Sequence, residues 1–270
     1  MNRGVIEMLE RELKVNFKSF FIWSVITMGL FLIVFLVYPS IINGPEVESL
    51  NEMMKAFPEE ILKSFNMDIS SIDSAYGWLK SEGFVFVLLI IGCYAGILGS
   101  NILLKEESDK TIEYLGVMPI KRSSIVLIKS LVGIIYIISL TIVIGFFNYI
   151  GLYLSGVFDK KQYILLSLTP ILSSITIFFI CMFLSTYTNK TKKMLGISLG
   201  IVIISYVLNM ISSLSENIEF LKYFSVFTLA DIRNVIINIS INYNMVIISL
   251  LISFVFIILT LVKYNKKEFI

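Results

Sequence analysis

The sequence predicts an all-α, polytopic membrane protein with six transmembrane helices, and two observations carry that expectation. Of its 270 residues 57% are apolar and 16% charged, with a mean hydropathy of +0.87. Ordinary soluble domains have about 45–50% apolar and about 25% charged residues, so this excess does not fit inside one water-facing core. The apolar residues also fall into long runs broken by short charged stretches. A hydrocarbon core about 30 Å thick takes about 20 helical residues. Six runs meet or approach that length: Phe21–Ile42, Phe84–Leu104, Ile125–Ile150, Tyr163–Tyr187, Met194–Ser213 and Met245–Val262. Residues 1–270 therefore read as a single transmembrane domain.

Within residues 1–20, Ile6, Leu9, Leu13, Phe17 and Phe20 recur at helical spacing while Glu7, Arg11, Lys14 and Lys18 share the opposite face. That pattern predicts an N-terminal amphipathic interfacial helix before the chain turns into the bilayer. The first span is followed by Tyr38-Pro39-Ser40 with no small-residue cleavage site, so it reads as a retained anchor. Residues 43–83 form the outer loop, with eight acidic residues against Lys55, Lys63 and Lys80. Leu50, Met53, Met54 and Phe57, then Ile61, Leu62 and Phe65, suggest two short helices broken at Pro58. The acidic excess suits cationic compounds near the outer face and, equally, a solvated helix surface.

Residues 105–124 connect the second and third spans. Ser108 or Asp109 is placed to cap a helix of about two turns that stops at Gly116 and Pro119, and Ser123 or Ser124 to cap the next span. A short helix lying across the membrane surface with charges at both ends suits docking of a cytoplasmic partner. A solvated loop whose charges hold topology is the alternative.

Orientation follows from the basic residues. Fourteen lie on the side of the N-terminus, including Arg3, Arg11, Lys105, Lys121, Arg122, Lys190, Lys192, Lys193, Lys263 and Lys267, and seven lie on the other. The positive-inside rule then makes both termini cytoplasmic. Lys129 falls just inside the third span, where its long side chain is expected to snorkel to the cytoplasmic surface.

The composition also removes whole chemistries. Without histidine, His-based acid–base catalysis, Ser-His-Asp triads and His-ligated zinc have no residues to use. Cys93 and Cys181 each sit in an apolar run and read as small buried residues. A net charge of +2 gives no reason to expect nucleic acid. No lysine follows a glycine, so the chain has no Walker A phosphate loop. Gly196-Ile197-Ser198-Leu199-Gly200 fits a nucleophile pattern, yet it lies in an apolar run with no base except the surface Lys192 and Lys193. Gly196 and Gly200, like Gly92, Gly96 and Ser100 in the second span, are better read as small residues that let helices pack closely. Asn148 and Asn209 are assigned to hydrogen bonds between helices rather than to substrate. No catalytic, cofactor-binding or metal-ligating constellation is expected.

The run Lys105-Glu106-Glu107, then Thr111-Ile112-Glu113-Tyr114-Leu115, then Met118-Pro119-Ile120-Lys121-Arg122 with Lys129, resembles the signature of ABC-2-type permeases, the membrane subunits of ABC exporters. Ala56–Phe65 with Tyr76-Gly77-Trp78-Leu79, Phe220–Ser225 and Tyr264–Glu268 are similar to that family's outer loop, its segment before the last span and its C-terminal end. Two positions depart from it: Lys110 where a glycine is usual, and Ser225-Val226 where a serine-proline is usual. The resemblance implies a coupling helix seated in a cleft of a cytoplasmic ABC ATPase subunit. Its interface would comprise Glu106, Glu107, Thr111, Ile112, Glu113, Tyr114, Leu115, Pro119 and Arg122. It also implies a second permease subunit, identical or related, enclosing the translocation path. The chain itself would hold no cofactor, and ATP and Mg would bind the partner. The implied setting is the bacterial cytoplasmic membrane, in contact with its lipid. The competing readings are an ion-coupled secondary transporter, which usually carries ionisable groups at mid-membrane, and a membrane anchor for a cytoplasmic protein.

Overall fold

The computed structural model describes residues 3–43, 57, 84–108, 120–154, 159–231, 234–235 and 238–267, and every regular element among them is helical. The order is α1 (Arg3–Asn43), α2 (Phe84–Ser108), α3 (Arg122–Leu154), α4 (Lys160–Leu168), α5 (Pro170–Ser185), α6 (Thr191–Ser212), two 3-10 helices (Glu216–Phe224 and Val226–Ala230) and α7 (Tyr243–Asn265). Six stretches are long and apolar enough to cross a membrane, one in each of α1, α2, α3, α6 and α7 and one across α4 and α5 together. Each coincides with one of the expected spans. The expected outer-loop helices, apart from the exposed Phe57, and Thr111–Pro119 lie outside the described residues.

Three local features differ from the sequence reading. α1 is a single unbroken helix of 41 residues, so its first 20 residues run straight into the span without a turn. Of the face expected to be apolar, Leu9, Leu13 and Phe20 pack against the core, while Ile6 and Phe17 are exposed. The fourth span is divided at Thr169, because Pro170 has no N–H to continue the helical ladder. Thr169 keeps helical angles, and its hydroxyl donates to the Leu165 carbonyl at 2.6 Å. Finally, α2 continues through Ser108, and α3 begins at Arg122. Ser108 therefore ends a helix instead of starting one, and Ser123 and Ser124 lie inside the first turn of α3.

α2 and α5 form the centre of the bundle. Their contact is close because α2 presents glycine: a Cβ at Gly99 would run into the backbone of Phe178. Gly92 faces the Phe227 ring, and Gly96 and the buried Ser100 complete a small-residue strip along α2 that α6 covers in part through Val202 and Ser198. On α3, a Cβ at Gly133 would meet the Phe178 ring. Polar glue joins α5 to α7, where the hydroxyls of Thr176 and Ser249 lie 2.9 Å apart and that of Ser249 donates to the Leu172 carbonyl at 2.9 Å. α3 is tied to α1 by the Tyr136 hydroxyl, which donates to the Leu13 carbonyl.

The segment after α6 folds back into the bundle. Ser225 accepts from the Phe227 amide at 3.2 Å and donates to the Ser205 carbonyl at 2.6 Å, which turns Phe227 inward against Gly92 and Tyr206. Asn209 donates to Thr228 at 3.2 Å, the inter-element bond expected of it. Asn148 differs. Its carboxamide is fully buried and, among the described residues, neither of its polar atoms has a partner.

Candidate coupling site

Of the residues expected at the coupling interface, the structure describes Glu106, Glu107 and Arg122; Thr111, Ile112, Glu113, Tyr114, Leu115 and Pro119 lie outside the described residues. The three described residues lie on either side of residues 109–121. α2 carries the glutamates at its C-terminal end and α3 opens on Arg122.

Glu106 is turned into the protein. Its Oε1 lies 2.7 Å from Lys129 Nζ, and Glu12 Oε1 of α1 lies 3.2 Å from the same nitrogen. The third N–H of the ammonium goes to the Ile102 carbonyl at 2.6 Å. An ammonium has three donors and no acceptor, so these three oxygens satisfy it completely. The exposures of Lys129, Glu12 and Glu106 are 1%, 2% and 3%. The expected snorkelling of Lys129 does not occur. Two carboxylates in a water-poor site offset the desolvation of the ammonium better than a stretched path to the surface. The result is a polar knot joining α1, α2 and α3 within one side-chain radius.

Glu107 points the other way along the helix end. Both its carboxylate oxygens accept from Lys267 Nζ, at 2.8 and 2.7 Å, and the two side chains are 8% and 10% exposed. Lys267 Nζ also reaches the Thr188 carbonyl, between α5 and α6, at 3.4 Å. Arg122, at the start of α3, donates from Nη1 to the carbonyls of Asn265 at 3.3 Å and Lys267 at 2.8 Å. Those carbonyls close the C-terminal end of α7, where the last turn has unpaired acceptors and a partial negative charge, and a guanidinium is a suitable cap. Beneath them the Tyr264 ring is 1% exposed.

The sequence reading did not single out Glu12, Lys267 or the α7 end as members of this site. Lys129 could have led to the first, because an ionisable group inside an apolar run calls for a partner, and Glu12 lies among Met8, Leu9 and Leu13. For Lys267 no local signal exists, since it is 160 residues from Glu107. Gly196 and Gly200 also behave differently from the other packing residues: a Cβ at either meets nothing within 4 Å among the described residues.

The arrangement is one in which every contact holds a segment in place and none is aimed at a reacting group. Among the described residues there is no cluster of three or more histidine, cysteine, aspartate or glutamate side chains able to hold a metal ion. The helices define a multi-pass membrane protein, and comparison with known families gives its class. Residues 9–269 match the model described as ABC-2 family transporter protein, so the chain belongs to the ABC-2 transporter family. It is thus an ABC transporter permease, and membership of this family implies an ABC ATPase partner. No curated protein and no solved structure matches the chain.

Proposed function

We propose that this chain forms, with a second identical or related permease, the path of an ATP-driven exporter in the bacterial cytoplasmic membrane. ATP and Mg bind and react on a separate ATPase subunit docked beneath the 109–121 segment. The observation that carries this reading is the double anchoring of that segment on a chain of the ABC-2 family: buried Glu106 at one end, Arg122 on the α7 terminus at the other. A topological loop has no use for fixed ends, whereas a docking helix that transmits force does. The absence of any glycine-lysine pair in the sequence agrees with hydrolysis on another polypeptide. The two-to-one distribution of basic residues supports termini in the cytoplasm.

Tyr114→Ala with Leu115→Ala tests the reading. Buried aromatic and aliphatic anchors at an interface cost about 2 kcal/mol or more when truncated. The pair should abolish permease-dependent ATP hydrolysis and co-purification of the ATPase encoded beside this gene, with the permease still folded. Glu113→Gln should do less. Full stimulation and normal co-purification in the double variant would make the segment a loop.

One observation favours a second reading. Glu12, Lys129 and Glu106 are ionisable groups buried inside the helical bundle, as in ion-coupled transporters. That reading requires transport in vesicles to collapse with a protonophore and to persist without ATP; the exporter reading requires the reverse.

A further inference from the structure

Residue 267 touches both ends of the coupling segment. Its side chain holds Glu107, two residues before the segment starts, and its backbone carbonyl holds Arg122, at the residue after it ends. We propose that Lys267 is a positioning residue for coupling, a single staple that fixes the two ends of the 109–121 segment to each other and to the C-terminal end of α7. The proposal rests on the coupling reading given above.

The physical argument starts from what holds each end otherwise. Glu106 fixes the end of α2 against α1 and α3, but it does so from inside the bundle and sets no angle for the chain that leaves the helix. Glu107 is the next residue, and with Lys267 it forms a nearly buried pair using both carboxylate oxygens, which sets direction as well as distance. Arg122 is an exposed side chain, and exposed charges hold geometry poorly unless several contacts fix them. Two acceptors on one helix terminus remedy that. The third contact of Lys267, to the Thr188 carbonyl, brings the α5–α6 connection to the same point. A load applied to the segment by an ATPase is thereby delivered to α2, α3 and α7 together, where a loose segment would bend instead.

Two readouts on the full permease–ATPase complex in proteoliposomes test this. The first is the distance distribution, by electron paramagnetic resonance, between spin labels at Ser108, just before the segment, and Lys121, its last residue, both exposed. The second is permease-dependent ATP hydrolysis, with kcat and KM for ATP determined separately. Lys267→Ala should broaden the distribution and lower kcat about tenfold or more at unchanged KM, since small misplacements of positioned groups cost one to two decades. Lys267→Arg should keep both readouts, and Glu107→Lys with Lys267→Glu should restore a narrow distribution and most of the rate. A merely structural role would lower the yield of folded complex and leave kcat per folded complex unchanged. An unchanged distribution in Lys267→Ala overturns the proposal. A broadened distribution with unchanged hydrolysis overturns it too, and if Tyr114→Ala with Leu115→Ala still abolishes hydrolysis the coupling reading survives. If neither variant lowers hydrolysis, both fall together.

Discussion

Replacing Lys129 by methionine removes the one cation that two buried carboxylates share. Lys129 is 1% exposed and lies 2.7 and 3.2 Å from Glu106 and Glu12, themselves 3% and 2% exposed. Methionine fills a similar volume, so the loss is electrostatic, not one of packing. Deleting one partner of a buried pair costs about 3–5 kcal/mol, because a charge is left uncompensated in low dielectric. Here two acidic groups lose the same partner, so the upper part of that range applies. Against a total stability on the order of 5–15 kcal/mol this is a large fraction. Titration of the purified permease with SDS in mixed micelles, followed by tryptophan fluorescence, would read the shift as a lower unfolding midpoint. The triple variant Glu12→Leu, Lys129→Met, Glu106→Leu should recover to within about 1 kcal/mol of the parent, since apolar residues of similar volume replace buried ion clusters without penalty. Its permease-dependent ATP hydrolysis should stay low if the knot also aligns the segment. A loss below about 1 kcal/mol in Lys129→Met alone would refute the claim that the ammonium bridges both carboxylates.

Three further outcomes follow from the fold. Gly99→Val should lose about 1–3 kcal/mol in the same titration through overpacking against the Phe178 backbone, while Gly200→Ala, with nothing within 4 Å, should gain about 0.5–1 kcal/mol from helix propensity. A loss for Gly200→Ala in the monomer would mean that α6 is covered by another part of the chain. Asn148→Leu should leave stability unchanged or raise it by about 1–3 kcal/mol by removing an unbonded amide, whereas Asn209→Leu should lose about 1 kcal/mol with its bond to Thr228; equal losses in both would count against the orphaned amide. In a background lacking Cys93 and Cys181, an impermeant thiol reagent applied to intact cells should label cysteine at Ser215 and not at Ser108. Labelling at Ser108 would invert the orientation.

The helices were legible because hydrocarbon thickness and helical rise together set a length that hydropathy runs display directly. What stayed hidden has specific causes. The extent of α2 past Leu104 depends on charged residues, Lys105 to Glu107, that look like loop until their partners are known. Lys129 near a membrane edge has two physically sound destinations, water or a buried acid, and the sequence does not contain the geometry that chooses Glu106 and Glu12. Glu12 itself falls beside the face that periodicity marks as apolar, since α1 buries Met8 and Glu12 rather than Ile6 and Phe17. Asn148 and Asn209 are alike as letters and opposite in surroundings. Of the candidate site, the paired glutamates and Arg122 were found through the family signature, and Lys267 required the folded chain.

The position of Lys267 also bears on biosynthesis. The Glu12–Lys129–Glu106 knot involves residues that emerge early, so it can close while much of the permease is still on the ribosome. The Glu107 and Arg122 anchorage waits for residue 267. At roughly 5–20 residues per second the interval between the two is about 7 to 28 seconds. During it the contacts of Glu107 and Arg122 with residue 267 cannot form. On the proposed coupling reading, recruitment of the ATPase would follow membrane integration of α7, an ordering that a site built only from α2 and α3 would lack.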